Sequence, residues 1–165
     1  KREDPYALQE EDLPELEAEY ERLAEYLKDH PETNFFHFNV DLAQGPCVIK
    51  RLRGCGAGCE YVAITPEGDI YPCHQFVGNE DYRLGSVHDG TFDKELSGRF
   101  AGLNIYTREE CRDCWARFYC SGGCSASNLL VNGDIKKPHR VGCELERKRL
   151  ECAIALRAIA AGMAD

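Results

Sequence analysis

Four cysteines fall within fourteen residues, Cys111-Arg-Asp-Cys114-Trp-Ala-Arg-Phe-Tyr-Cys120-Ser-Gly-Gly-Cys124, spaced C-x2-C-x5-C-x3-C. So dense a run of thiols is a staple or a metal site, not an ordinary apolar core, and the rest of the chain must fold around it. Ten cysteines occur in 165 residues. A chain of this length can bury a real core, so it does not need disulfides for want of apolar area. No secretory signal and no bilayer-spanning apolar run is evident in the sequence. The expectation is therefore reduced, metal-binding thiols in a cytoplasmic protein away from the membrane. Disulfides in an exported domain are the rival reading. The net charge of −9 argues against a nucleic-acid partner. The densest basic run, Lys136-Lys137-Pro-His-Arg140 followed by Arg147-Lys148-Arg149, reads as solvated surface.

In chain order, Asp12 reads as a helix N-cap, with Glu15 as its capping-box partner and Pro14 tolerated in the first turn. Leu16, Tyr20, Leu23 and Leu27 recur at helical spacing up to about His30, where Pro31 stops the helix. Asn34 to Gln44 alternates from Phe36 onward and predicts a strand or extended segment. Cys47 reads as a small buried apolar residue. Arg53-Gly-Cys55-Gly-Ala-Gly-Cys59 is a glycine-rich turn with thiols near both ends. A phosphate cradle is excluded there, because the lysine and hydroxyl of a P-loop are absent.

Tyr61 to Ile64, the turn Thr65-Pro-Glu-Gly-Asp69, and Ile70-Tyr71 predict a hairpin that returns Cys73 to Cys55 and Cys59. His74 reads as a surface residue. Leu84 to Val87 predicts a short strand, His88-Asp-Gly90 a turn, and Phe92 to Leu103 a helix. Trp115, Phe118 and Tyr119 read as a hydrophobic wall around the thiols, and Gly122-Gly123 as the tight return to Cys124. Cys143 follows a loop of eighteen residues after Cys124. Leu145, Arg149, Cys152, Leu156 and Ile159 then mark one stripe of a C-terminal helix to about Ala161, with Cys152 in the core.

Setting aside Cys47 and Cys152 leaves eight thiols, or two sets of four. Four thiolates suit a tetrahedral zinc or a 4Fe-4S cluster. A zinc ribbon usually shows two C-x2-C knuckles per metal, and only Cys111 and Cys114 form one here. The wider gaps favour the larger iron–sulfur cube. A two-zinc structural or protein-binding module without redox activity is the alternative.

The order C-x12-G-x4-C, from Cys55 through Gly68 to Cys73, then C-x2-C-x5-C-x3-C and a distant Cys143, resembles the SPASM domain. That domain is the C-terminal auxiliary-cluster extension of a class of radical S-adenosylmethionine enzymes. The wording Cys-Gly-Ala-Gly-Cys-Glu-Tyr before Pro-Glu-Gly-Asp-Ile-Tyr-Pro-Cys-His-Gln-Phe is similar to the SCIFF peptide maturases, which form thioether cross-links in cysteine-rich ribosomal peptides. The resemblance implies a small, loop-rich α+β fold, with a β-hairpin followed by helices wrapped around two auxiliary 4Fe-4S clusters. It implies Cys55, Cys59, Cys73 and Cys124 as ligands of the first cluster, and Cys111, Cys114, Cys120 and Cys143 as ligands of the second. Members of this group can leave one iron of the first cluster without a protein ligand, open to a substrate thiolate. Spacing leaves open whether Cys55 or Cys59 would then be the non-ligand.

The implied role is to bind that thiolate at the first cluster and to pass electrons. The implied partners are a cysteine-rich precursor peptide and the radical S-adenosylmethionine barrel domain of the same enzyme. The C-x3-C-x2-C motif that cleaves S-adenosylmethionine is missing, since position 62 is Val. The expectation is a C-terminal piece, inactive alone, with S-adenosylmethionine needed only by the full-length enzyme. Residues 1–50 would be the last helix and connector of the barrel, 51–144 the cluster domain, and 145–165 a C-terminal helix.

Overall fold

The computed structural model describes residues 6–42 and 48–163. Cys47 lies outside them. Seven helices surround a small four-stranded antiparallel sheet among these residues, in keeping with the α+β expectation.

Helix α1 (Leu13–Asp29) ends at His30, just before Pro31. Its start differs from the sequence reading. The Asp12 side chain makes no cap to α1; it accepts the Gln9 amide at 2.8 Å, closing a capping box around a preceding 3-10 turn, Glu10–Asp12. Gln9 engages the Asp12 carboxylate in place of the predicted pairing with Glu15. Asn34 to Leu42 is not a strand. Phe36–Phe38 wind into a 3-10 turn, which stacks residues three apart. The turn brings Phe35 and Phe38 together at 5.0 Å and sets both against Tyr20. An aromatic cluster won over alternation because no neighbouring strand offers a partner.

Helix α2 (Val48–Arg53) leads into the glycine-rich turn. Strands β1 (Ala63–Ile64) and β2 (Asp69–Tyr71) form the predicted hairpin, in register Ala63↔Tyr71. Gly68, at φ +84°, permits the turn, and Thr65 and Asp69 close it at 2.9 Å. Strands β3 (Gly85–Ser86) and β4 (Thr91–Phe92) complete the order β1-β2-β3-β4. Helix α3 (Lys94–Ala101) starts at Asp93, whose carboxylate caps the Leu96 amide at 2.8 Å. The core beneath these elements is built from Ile70, Tyr71, Phe76, Leu84, Phe100 and Ile135, with Phe76 edge-on to Phe100.

Two short helices carry the central cysteines, α4 (Glu109–Arg112) and α5 (Arg117–Cys120). Helix α6 (Ser125–Asn132) occupies half of what reads as an eighteen-residue loop. Its serine- and asparagine-rich sequence hides it; buried Asn128 anchors it by accepting the His139 amide at 3.0 Å. Helix α7 (Arg140–Ala160) begins five residues before the expected boundary, so Cys143 stands in its first turn rather than in a loop. Leu150 and Cys152 are buried in it, as the stripe predicted for Cys152. Helices α1 and α7 pack side by side in the same direction, with Glu10 paired to Arg140 and Glu21 to Lys148. No described helix is long and apolar enough to cross a membrane.

Candidate metal centre

All nine described cysteines are free, so the disulfide reading has no pair to rest on among them. Eight of them gather around the hairpin and the central run, with Cys124 between the two: it bears on Cys73 and also lines one space with Cys120 and Cys143, while Cys152 lies apart.

The first group gathers at the hairpin. The Cys55–Cys59 turn is held down through Gly58, whose amide donates to the Pro72 and Tyr61 carbonyls at 3.0 Å. Ser97 Oγ donates to the Gly58 carbonyl at 2.7 Å. A Cβ on Gly58 would sit 2.8 Å from Phe100, so only glycine lets the turn lie this close to the core. Cys73, Cys55 and Cys124 come within electrostatic reach of one another. Tyr61 belongs with them: its hydroxyl donates to Cys55 Sγ at 3.8 Å. Burial and these thiols push Tyr61 up to about 12, which keeps it a neutral donor. Gln75 Nε2 donates to Cys124 Sγ at 3.6 Å. Cys59 is the outlier. It is exposed, interacts with Cys55, and turns its thiol onto the Gly56 carbonyl at 3.3 Å.

The second group is enclosed. Cys111, Cys114, Cys120 and Cys143 all line one cavity of about 510 Å³. Their thiols interact, and burial together with the Cys120 and Cys111 charges pushes Cys143 up to about 11. Burial likewise raises Cys111 and Cys120. The double-glycine turn faces inward here, and the amides of Gly122 and Gly123 bond to Cys120 and oppose its shift. Arg147 Nη1 donates to Cys114 Sγ at 3.8 Å.

This cavity bears on two readings of the sequence. Lys137 and Arg140 are exposed at its rim, as the surface reading expects, while Arg147 and Arg117 are half-buried in its lining. Trp115, Phe118 and Tyr119 do not line this cavity, where buried Ala116 is the apolar neighbour, but Tyr119 lines the adjoining space with Cys120, Cys124 and Cys143. The signal for the basic lining lay in the sequence, because the run flanks Cys143 on both sides.

Arg108 was not singled out by sequence reasoning. It is 2% exposed. Its guanidinium donates to the Gly122 carbonyl, to Ser125 Oγ at 2.9 Å and to the Ile135 carbonyl at 3.3 Å, while Nε has no partner. None of these partners is charged. Burial lowers its pKa, and Cys111, Cys120, Cys124 and Cys55 oppose that shift. A buried, incompletely bonded cation is costly unless a negative centre faces it.

Among the described residues, no three of His, Cys, Asp or Glu stand close enough together to grip a single ion. The second group instead surrounds a space with sulfur, and its charged lining is mixed, Arg117, Lys137, Arg140 and Arg147 against Glu10, Glu110 and Glu146. All-thiol donors, backbone amides aimed at sulfur and a buried unpaired guanidinium fit an anionic iron–sulfur centre.

Residues 55–115 match the family profile of SPASM, an iron–sulfur cluster-binding domain. The chain carries a SPASM domain. The matched SPASM segment holds Cys55, Cys59, Cys73, Cys111 and Cys114, and the remaining three of the eight thiols follow it. An uncharacterized protein of Archaeoglobus fulgidus is 31% identical over 101 residues, 59% of this chain and 24% of that protein. The PqqA peptide cyclase of Xanthomonas axonopodis pv. citri is 28% identical over 102 residues, 58% of this chain and 27% of the cyclase. The mycofactocin maturase MftC of Mycobacterium ulcerans is 31% identical over 111 residues, 64% of this chain and 29% of the maturase. The alignments thus cover about a quarter of the length of these relatives.

Proposed function

We propose that this chain is the auxiliary-cluster part of a radical S-adenosylmethionine peptide maturase and binds two 4Fe-4S clusters. Cys55, Cys59, Cys73 and Cys124 would hold the first, and Cys111, Cys114, Cys120 and Cys143 the second. The observation that supports the reading most is that four of the eight free thiols, Cys111, Cys114, Cys120 and Cys143, line one cavity. Relatives that include a peptide cyclase and a maturase support the substrate class. When bound, such clusters supply one-electron redox chemistry and a site that accepts a sulfur ligand.

The chain's own residues divide the remaining work. Gly58 and Ser97 fix the first group to the core while leaving Cys55 and Cys59 in contact with solvent. Cys59 would be the ligand to give way to a substrate thiol, because it is exposed and its thiol donates to the Gly56 carbonyl. Tyr61 and Gln75 stay in place as donors to sulfur. The second group, less exposed than the first, would hold a cluster that relays electrons. The substrate of the whole enzyme is a cysteine-rich ribosomal peptide, cross-linked through a thioether as in the SCIFF maturases. A partner barrel domain provides the radical.

Iron and sulfide analysis of anaerobically prepared protein, with electron paramagnetic resonance, tests this. The expected result is about eight irons per chain and two distinct reduced signals. Stoichiometric zinc and a colourless protein overturn it in favour of a structural module.

A further inference from the structure

Arg108 is placed where no single cluster accounts for it. The charges bearing on it come from both groups, Cys111 and Cys120 of the second and Cys124 and Cys55 of the first. It donates to the Gly122 carbonyl, halfway between Cys120 and Cys124, the point where the chain passes from one proposed group to the other. Ser121, Gly122 and Gly123 all take positive φ there. A side chain on Gly122 would collide with the guanidinium, so the turn and the arginine occupy one another's space. Ser125 in α6 and Ile135 after it hold the other nitrogen. The partners are neutral, Nε is unpaired, and the residue is 2% exposed.

We propose that Arg108 is a positioning residue shared by the two centres, a fixed cation that raises the reduction potential of both. The inference rests on the two-cluster reading. A thiolate-ligated iron–sulfur core is anionic and becomes more so on reduction. A permanent positive charge in a low-dielectric site stabilises the added electron. One cation between two such cores favours the reduced state of each. Arginine suits the place because it keeps its charge when buried, and its planar fork satisfies several acceptors at once.

Redox titration followed by electron paramagnetic resonance tests this on Arg108→Met and Arg108→Lys, in the full chain loaded anaerobically. Exposed Arg112, which bonds only the Tyr106 carbonyl, gives the control Arg112→Met. The expected result is that both midpoint potentials fall in Arg108→Met and fall less in Arg108→Lys. Neither moves in the control. Loaded Arg108→Met with unchanged potentials, or with only one changed, overturns the proposal. If Arg108→Met does not load, Arg108→Lys decides: a smaller downward shift at both centres supports the proposal, and no shift overturns it. A wild-type chain that takes up no iron defeats the two-cluster reading instead and is read before any variant.

Discussion

The two thiol groups share a chain and a chemistry, yet they are built in opposite ways. The first lies on a sheet hairpin with two of its cysteines exposed. Its sulfur donors are neutral, the Tyr61 hydroxyl and the Gln75 amide. The second lines a cavity whose rim mixes Arg117, Lys137, Arg140 and Arg147 with Glu10, Glu110 and Glu146, and its side-chain donor to sulfur is a cation. Burial and net charge both set the behaviour of iron–sulfur centres. The difference therefore assigns exchange with the outside to the first group and storage of charge to the second.

The largest test of that contrast is a pair of substitutions. Cys143→Ser removes a ligand planted in α7 and is expected to cost the second centre, about half of the bound iron. Cys59→Ser removes the loosely held outer thiol and is expected to leave the iron content nearly unchanged. Iron and sulfide analysis reads both, and equal losses would erase the distinction. Next in size is Gly122→Ala. It combines a positive φ with a collision against Arg108. A loss of about 1–3 kcal/mol is expected from the backbone conformation alone. Denaturant midpoints should show it, and loading should drop in both groups together.

The pH dependence of metal uptake separates the groups more finely. Burial raises Cys111, Cys120 and Cys143 in the second group, Cys143 to about 11. In the first group burial also raises Cys59 and Cys73, but Cys124 lies below its ordinary value. Burial would raise it, but bonds from Ser127, Ala126 and Gln75 outweigh burial. Below its pKa a thiol keeps a proton that a metal must displace. Affinity at the second group should therefore climb with pH toward about 11, more steeply than at the first. Competitive cobalt titrations at several pH values measure this, and parallel slopes would refute it. The smallest effect is expected from Tyr61→Phe, which deletes one weak bond to Cys55. Only the first centre's potential should fall, and a change at the second would mean the groups are less separate than drawn.

What could be read beforehand follows from how local each signal is. Thr65 to Asp69 encode their own turn, so the return of Cys73 toward Cys55 was legible from five residues. The stripe through Cys152 likewise announced a helix. The start of α7 was missed because Arg140 to Glu144 carries few apolar residues, and α6 because Asn128 is held by distant His139. Arg108 was illegible for a deeper reason. In Thr107-Arg-Glu-Glu110 it looks like any surface arginine. Its burial depends on a glycine fourteen residues further on having no side chain to block it.

The reversal at Ser121 to Gly123 bears on assembly. Cys120 and Cys124 sit at its two ends and, in the proposed partition, would serve different clusters, so whatever fixes one sulfur stiffens the hinge that aims the other. Filling either group lowers the entropic cost of ordering its neighbour. Singly filled molecules should then be scarce, and the population should pass almost directly from empty to complete.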